Sequence, residues 1–190
     1  MPLYLPKNLA GLAALASRDP GRYALQALRV SDAGDGLYRV EVSDGRRLAI
    51  VRGPSAPAGY PALETAGNGA ASVLVSVADW KSAFRLGGKD RPVGLAATPD
   101  ALTLAVGDQA IVGKPVEGRF PPVDTVLPAS GPLVQFRVDP ALLAGLLHAA
   151  AALEPEAGVS LLFYGKEKPL GLMCRNGEGQ AFDALLVLLR

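Results

Sequence analysis

Val73-Leu74-Val75-Ser76-Val77, followed by Ala78-Asp79-Trp80-Lys81-Ser82-Ala83-Phe84-Arg85-Leu86, decides how this chain is read. The first five residues make an apolar extended segment. The next nine set Trp80, Ala83 and Phe84 at helical spacing, with Asp79 near the start, where an acidic group suits the positive end of the helix dipole. Three strands follow, at Val93–Ala97, Leu102–Val106 and Ala110–Lys114. Leu102-Thr103-Leu104-Ala105-Val106 has the period of a half-buried strand, and Gly107-Asp108 supplies the turn after it. Segment, helix and three strands form one unit near residues 72–116.

The same unit is written on both sides of this one. Near residues 1–55 it opens with Leu3-Tyr4-Leu5, has its helix from Asn8 to Ala16, and continues with strands at Tyr23–Val30, Leu37–Val42 and Arg47–Arg52. In Leu37-Tyr38-Arg39-Val40-Glu41-Val42 the apolar Tyr38, Val40 and Val42 share one face, and Arg39 and Glu41 share the other. Ser43-Asp44-Gly45-Arg46 is the turn, with Gly45 free to adopt positive φ. Near residues 133–190 the unit opens with Val134–Val138 and has a helix at Pro140–Leu153. Asp139-Pro140 is an N-cap followed by proline at the first helical position. Strands at Val159–Tyr164, Leu170–Arg175 and Gln180–Leu189 complete this third copy. Repeats of this length stack as supersecondary units over a shared core. Pro54 to Ala71, rich in Pro, Gly and Ala, reads as a surface connector, and Pro128–Pro132 as a second. The expected organisation is a two-unit domain over residues 1–128, with its connector at 54–71, and a single unit over 133–190, in the α+β class.

Composition narrows the possible functions. The chain has 190 residues, 49% of them hydrophobic, yet no run approaches the length of a membrane span, and the start lacks the pattern of a signal peptide. A soluble, cytoplasmic protein is the expectation. One cysteine, Cys174, permits no internal disulfide, and its apolar strand setting suits a buried thiol. The formal net charge is +1, so any grip on nucleic acid must come from local placement of charge. No enzyme signature is present. The one histidine, His148, sits within the most apolar helix; there is no Cys/His cluster with zinc spacing, no phosphate loop and no nucleophile elbow. Asp44, Asp79, Asp100, Asp108, Asp124 and Asp139 are scattered over turns and caps. No catalysis, cofactor or metal is expected.

Two short stretches carry a resemblance to a known family. Glu117-Gly118-Arg119-Phe120-Pro121-Pro122-Val123-Asp124-Thr125-Val126-Leu127-Pro128 resembles the segment that closes the middle domain of the bacterial replicative sliding clamp, the beta subunit of DNA polymerase III. Ser43-Asp44-Gly45-Arg46-Arg47-Leu48-Ala49 resembles that family's Thr-Asp-Gly-His-Arg-Leu-Ala turn, with Ser and Arg in place of Thr and His. Order and separation match as well. Val134 to Arg190 resembles the family's last half-domain, and the end, Leu186-Val187-Leu188-Leu189-Arg190, keeps the apolar character of its tail without the proline.

The resemblance implies the DNA-clamp fold: βαβββ modules around a ring, antiparallel sheets outside, helices lining a hole that encloses duplex DNA without reading its sequence. Clamps of this fold reach twelve modules, as dimers with six per chain or trimers with four. Three modules divide twelve by four, so a homotetrameric ring is the expectation, ahead of a dimer or an unclosed chain. DNA contacts are expected from Lys7, Arg18 and Arg22 around the first helix, from Lys81 and Arg85 at i and i+4 on the second, and from Lys89 and Arg91 after it. The third helix offers only His148, with no Lys or Arg.

The family's second site is a hydrophobic pocket for short linear motifs of polymerases, clamp loaders and repair proteins. Carried over by position, it draws on Leu25, Ser43, Gly45, Arg46, Arg47 and Leu48 from the first unit. The closing segment adds Pro121, Thr125 and Val126, and the tail adds Leu185, Val187, Leu188, Leu189 and Arg190. The implied function is a non-enzymatic processivity factor in the cytoplasm, associated with the nucleoid and without a membrane. The alternative is a clamp-derived interaction module or regulator that binds a protein partner without enclosing DNA. Near-neutral charge and the bare third helix speak for that alternative.

Overall fold

The structure is a computed structural model that describes residues 2–55, 72–88, 91–153, 158–165, 167–175 and 181–189. Two compact units divide the chain, Met1–Asp124 and Thr125–Arg190. Most of the connector expected at 54–71 lies outside the described residues.

The first unit holds the first two modules. Module one contains β1 (Pro2–Leu5), the 3-10 helices η1 (Lys7–Leu15) and η2 (Pro20–Gln26), β2 (Ala27–Gly34), β3 (Leu37–Ser43) and β4 (Leu48–Pro54). Module two contains β5 (Ser72–Ser76), the α-helix α1 (Val77–Leu86), β6 (Val93–Ala97), β7 (Leu102–Val106) and β8 (Gln109–Gly113). Its two sheets do not follow module boundaries. Their orders are β4-β3-β2-β5 and β1-β6-β7-β8, so each module gives its opening strand to the other module's sheet. The registers are equivalent: Leu3 faces Leu95 and Leu5 faces Val93, while Val73 faces Val30 and Val75 faces Leu28. All ladders are antiparallel.

This exchange gives the two sheets one core. Leu3, Leu5, Val30, Val40, Val75, Trp80, Val93, Leu95 and Leu104 are buried together, under η1 and α1, which pack against each other. Trp80 and Phe84 meet with ring centroids 4.7 Å apart. The α1 start is set by Ser76, whose Oγ accepts from the Asp79 N–H at 3.0 Å and donates to Asp79 Oδ2 at 2.7 Å. Ser76 is thus an N-cap whose hydroxyl is itself held by the carboxylate of the third helical residue.

Two expectations for module one need correction. Its helix is 3-10 over Lys7–Leu15 rather than a helix over Asn8–Ala16, and the strand expected to begin at Tyr23 begins at Ala27. Pro20 at the first position, behind the Asp19 cap that accepts from Gly21 N at 2.9 Å, turns residues 20–26 into η2 instead.

The short helix α2 (Val123–Val126) begins in the first unit and ends in the second, which contains α3 (Pro140–Leu153), β9 (Ser160–Phe163), β10 (Leu170–Arg175) and β11 (Ala181–Leu186). Asp139 caps α3, its Oδ1 accepting from Ala141 N at 2.8 Å and Leu142 N at 3.2 Å. The sheet order is β11-β10-β9. Leu170, Leu172 and Leu186 are buried against Leu143 and Leu146 of α3, and Cys174 is buried in β10. The opening strand expected at Val134–Val138 is not formed. That segment makes one isolated bridge, Arg137 to Leu189, because no strand lies along its other side among the described residues.

Candidate partner-docking turn and basic helix face

The turn after β3 is held by its own side chains. Ser43 Oγ accepts from Gly45 N at 3.0 Å and donates to Arg47 O at 2.8 Å. The Asp44 carboxylate accepts from Arg46 N and Arg47 N, both at 2.9 Å, and from Arg47 Nε at 2.8 Å. Those backbone N–H bonds, with the Arg47 guanidinium, bring the Asp44 pKa down to about 2. Gly45 stands at φ 89°, and a Cβ there would come within 2.5 Å of Arg22 Nη1 and 3.8 Å of Leu25 Cδ1. The turn is therefore seated on η2. Arg46 and Leu48 are exposed on it, with half-buried Leu25 beside it.

Arg22 belongs to this turn. Its Nη1 donates to Asp44 O at 3.4 Å and its Nε pairs with Asp19 at 3.4 Å. The residue expected to meet DNA is exposed and seated against the Ser43–Leu48 turn.

The closing segment packs across the outer face of the β4-β3-β2-β5 sheet. Val116 N donates to Leu74 O at 2.9 Å. Gly118, at φ 133°, passes so close to η2 that a Cβ would sit 2.6 Å from the Tyr23 ring. Phe120 and Val123 then bury themselves on Ala27 and Leu74, beside Leu25 and Ile50. Asp124 latches the end, taking two hydrogen bonds from Arg39, the shorter at 2.7 Å. The Arg39 bonds lower the Asp124 pKa, and the Asp124 bond raises that of Arg39.

Beneath the segment, Glu41 is 1% exposed, paired with Arg39 at 2.5 Å and Arg29 at 3.2 Å. Alternation alone puts Glu41 on a polar face. The neighbouring closing segment makes that face an interior one. Pro121 lies on the exposed side of the segment, next to buried Phe120. A cleft of about 400 Å³ opens here, lined by Arg29, Leu74, Thr98, Val116, Arg119 and Phe120 among others.

The other residues expected to line a pocket belong to the second unit. Val126, Leu185, Val187 and Leu189 are exposed and Leu188 is half-buried, packed against the α3–sheet core; Thr125 follows Asp124. Arg190 lies outside the described residues. A cleft of about 410 Å³ runs between α3 and the tail, lined by Ala141, Leu142, Gly145, Leu146, Leu185, Leu186 and Val187.

The basic residues divide by environment. Lys81 and Arg85 are exposed on α1, opposite buried Trp80, Ala83 and Phe84, and neither makes an ion pair among the described residues. At i and i+4 they form one cationic stripe. Lys7 is engaged elsewhere: its Nζ donates to the Phe84 carbonyl and stands 5.9 Å from the centroid of that ring. Arg18 is exposed after η1, and Arg91 is exposed beside the Gly107 turn. Lys89 lies outside the described residues. Counted from the helix starts, the exposed positions of α3 that correspond to Lys81 and Arg85 hold Ala144 and His148, and Leu142 and Leu147 are exposed on the same helix. The described residues hold no cluster of metal-ligating side chains, and no described helix is long and apolar enough to cross a membrane.

No protein-family model matches the chain, and no curated protein matches it. Solved structures do. The DNA polymerase sliding clamp from Caulobacter crescentus is 23% identical with a TM-score of 0.68, over 98% of this chain and 50% of that one. The DNA polymerase III beta subunit from Pseudomonas aeruginosa bound to griselimycin is 19% identical at TM-score 0.71, over 99% and 50%. The beta subunit from Thermotoga maritima is 15% identical at TM-score 0.69, over 99% and 50%. The chain spans about half the length of these structures. Across both units, its α+β architecture is the fold of the bacterial DNA sliding clamps.

Proposed function

We propose that this chain is a sliding clamp: a non-enzymatic processivity factor that encircles duplex DNA as a homo-oligomeric ring and tethers partner proteins by short peptides. The Lys81–Arg85 stripe, exposed on the helical side of a clamp-fold unit, carries this reading. Such a stripe attracts phosphates without reading bases, which lets a ring slide. Three modules per chain make four copies the assembly that reaches twelve. The docking surface of the first unit is the Ser43–Leu48 turn with Leu25 and Pro121, and the second unit offers apolar anchors of its own in Val126, Leu185, Val187, Leu188 and Leu189, with Thr125 and Arg190 beside them in sequence. Its ligands are linear motifs with apolar anchors, from polymerases, clamp loaders or repair proteins. Its place of action is the nucleoid in the cytoplasm.

Retention on DNA tests the ring. Protein loaded on a closed circular duplex should remain bound at a salt concentration that strips it from the same duplex after linearisation. Equal loss from both forms would contradict encirclement. That outcome would favour a clamp-derived interaction module, a reading supported by the uncharged, exposed surface of α3.

A further inference from the structure

The three modules share one clasp. Residues leaving each last strand bond the opening segment at the position three residues before the helix. Tyr4 N donates to Ser55 O at 3.0 Å, Val116 N to Leu74 O at 2.9 Å, and Leu189 N to Arg137 O at 2.8 Å. Arg137 is therefore the third module's equivalent of Tyr4 and Leu74. A strand residue directs its N–H and C=O to one side, so the residues flanking each of these three direct theirs to the other.

In the first unit that other side is occupied. Leu3 and Leu5 pair with β6, Val73 and Val75 pair with β2, and none of the four is more than 5% exposed. Their equivalents, Phe136 and Val138, have no strand opposite them among the described residues. The receiving edge is open as well. The ladders place Leu161 of β9 where β6 has Leu95, since Leu161 faces buried Leu172 and Leu95 faces buried Leu104. Leu95 is 0% exposed and Leu161 is 55%. Phe136, 38% exposed, stacks on Phe163 at 5.5 Å without covering Leu161.

We propose that a second copy of this chain completes the third module by reciprocal strand exchange. Residues 134–138 of each copy add to β9 of the other. The registers of β1 on β6 place Phe136 opposite Leu161, Arg137 opposite Ser160 and Val138 opposite Val159. The occupant is a second copy because the exchange within the first unit is mutual, and the third module carries both a donor segment and an acceptor edge. Such a surface is self-complementary, as two-fold association requires. It removes an open edge and covers an apolar face in one step. The inference deepens the ring reading by naming one of its interfaces: two chains hold three complete module pairs, and four chains hold six. The exchange itself needs no DNA.

The full chain carrying Arg137→Cys together with Ser160→Cys tests the register. These positions would form a non-hydrogen-bonded pair, with Cα atoms about 4.5 Å apart, within disulfide reach. On mild oxidation of mixed isotopically light and heavy protein, mass spectrometry should find the 137 peptide bridged to the 160 peptide of the other isotope. Either single variant should give no such bridge. An intrachain bridge, or no bridge while the protein remains folded, would overturn the proposal.

Phe136→Asp supplies an independent readout. A carboxylate in a dry interface should weaken self-association on the order of 100-fold, read by light scattering. Unchanged mass in Phe136→Asp would also overturn the proposal, as would a wild-type chain that stays monomeric at all concentrations. Bridged dimers that slip off circular DNA would sink the ring alone. Retention on circles without a bridge would sink the exchange alone.

Discussion

Leu95 and Leu161 occupy the same place in two copies of one module, yet the first is sealed and the second is open to water. Their local surroundings are alike, each being an inward leucine beside a buried leucine of the next strand. What differs is the strand on the other side. In the first unit β1 closes the edge, whereas in the second unit no described strand does. Burial in this fold is set by the neighbouring module, and a module alone is half a core.

The largest expected effect comes from breaking that contrast. Leu95→Ala should destabilise the first unit by about 2–5 kcal/mol, the range for large-to-small changes in a packed core. Leu161→Ala should cost less than about 1 kcal/mol in the single chain, at concentrations low enough to part the exchanged pair, where half the side chain meets water. Urea denaturation of both variants in the Phe136→Asp background, which parts the pair, checks this; equal losses would contradict the account.

A second contrast is between the outer faces. In the first unit Glu41 is enclosed under the closing segment with Arg29 and Arg39. Glu41→Ala should cost about 2–3 kcal/mol in the same assay, because two guanidinium groups lose their shared carboxylate while Arg29 stays partly hydrated. Little or no loss would mean that the cluster only decorates the sheet.

The sequence carried the repeat, the α1 and α3 boundaries and most strand positions, because hydrophobic period and caps are local. Asp79 with Trp80, Ala83 and Phe84 announces α1, whose Ser76 cap the sequence reading misses, and Asp139-Pro140 announces α3. Strand partners are not local. Leu3-Tyr4-Leu5 states which side chains turn inward, but nothing in it says that it pairs with β6 of the next module. The same gap explains Glu41, whose alternation sets it opposite Val40 and Val42, while the cover over its face, Phe120 and Val123, lies some eighty residues away. It explains residues 134–138 too: the pattern is that of a strand, and its partner edge is missing. In the Ser43–Leu48 turn, Ser43, Asp44 and Gly45 are legible from turn chemistry, whereas the seating of Arg22 on that turn requires the tertiary fold.

A smaller effect separates α1 from α3. Lys81→Ala with Arg85→Ala should leave the denaturation curve in place and reduce the salt slope of DNA binding by about 2. Replacing His148 of α3 by Ala should leave that slope unchanged. A slope indifferent to the α1 pair would remove α1 from the DNA-facing surface.

The smallest effect is the titration of Asp44. Its folded pKa of about 2 lies below its ordinary value. The stabilisation it gives the turn is therefore complete above the ordinary carboxylate range and is lost as the pH falls through about 2. The carboxyl carbon of Asp44, followed by NMR, should titrate there, ahead of which the amides of Arg46 and Arg47 stay protected. Titration at the ordinary carboxylate value would mean that the turn is loose in solution.

The central claim is that the third module is completed by another copy, and solution mass addresses it most directly. Light scattering across a concentration series should give four chains at the upper end, falling to two chains on dilution while the exchanged pair holds. A mass of one chain at every concentration would contradict both the exchange and the ring.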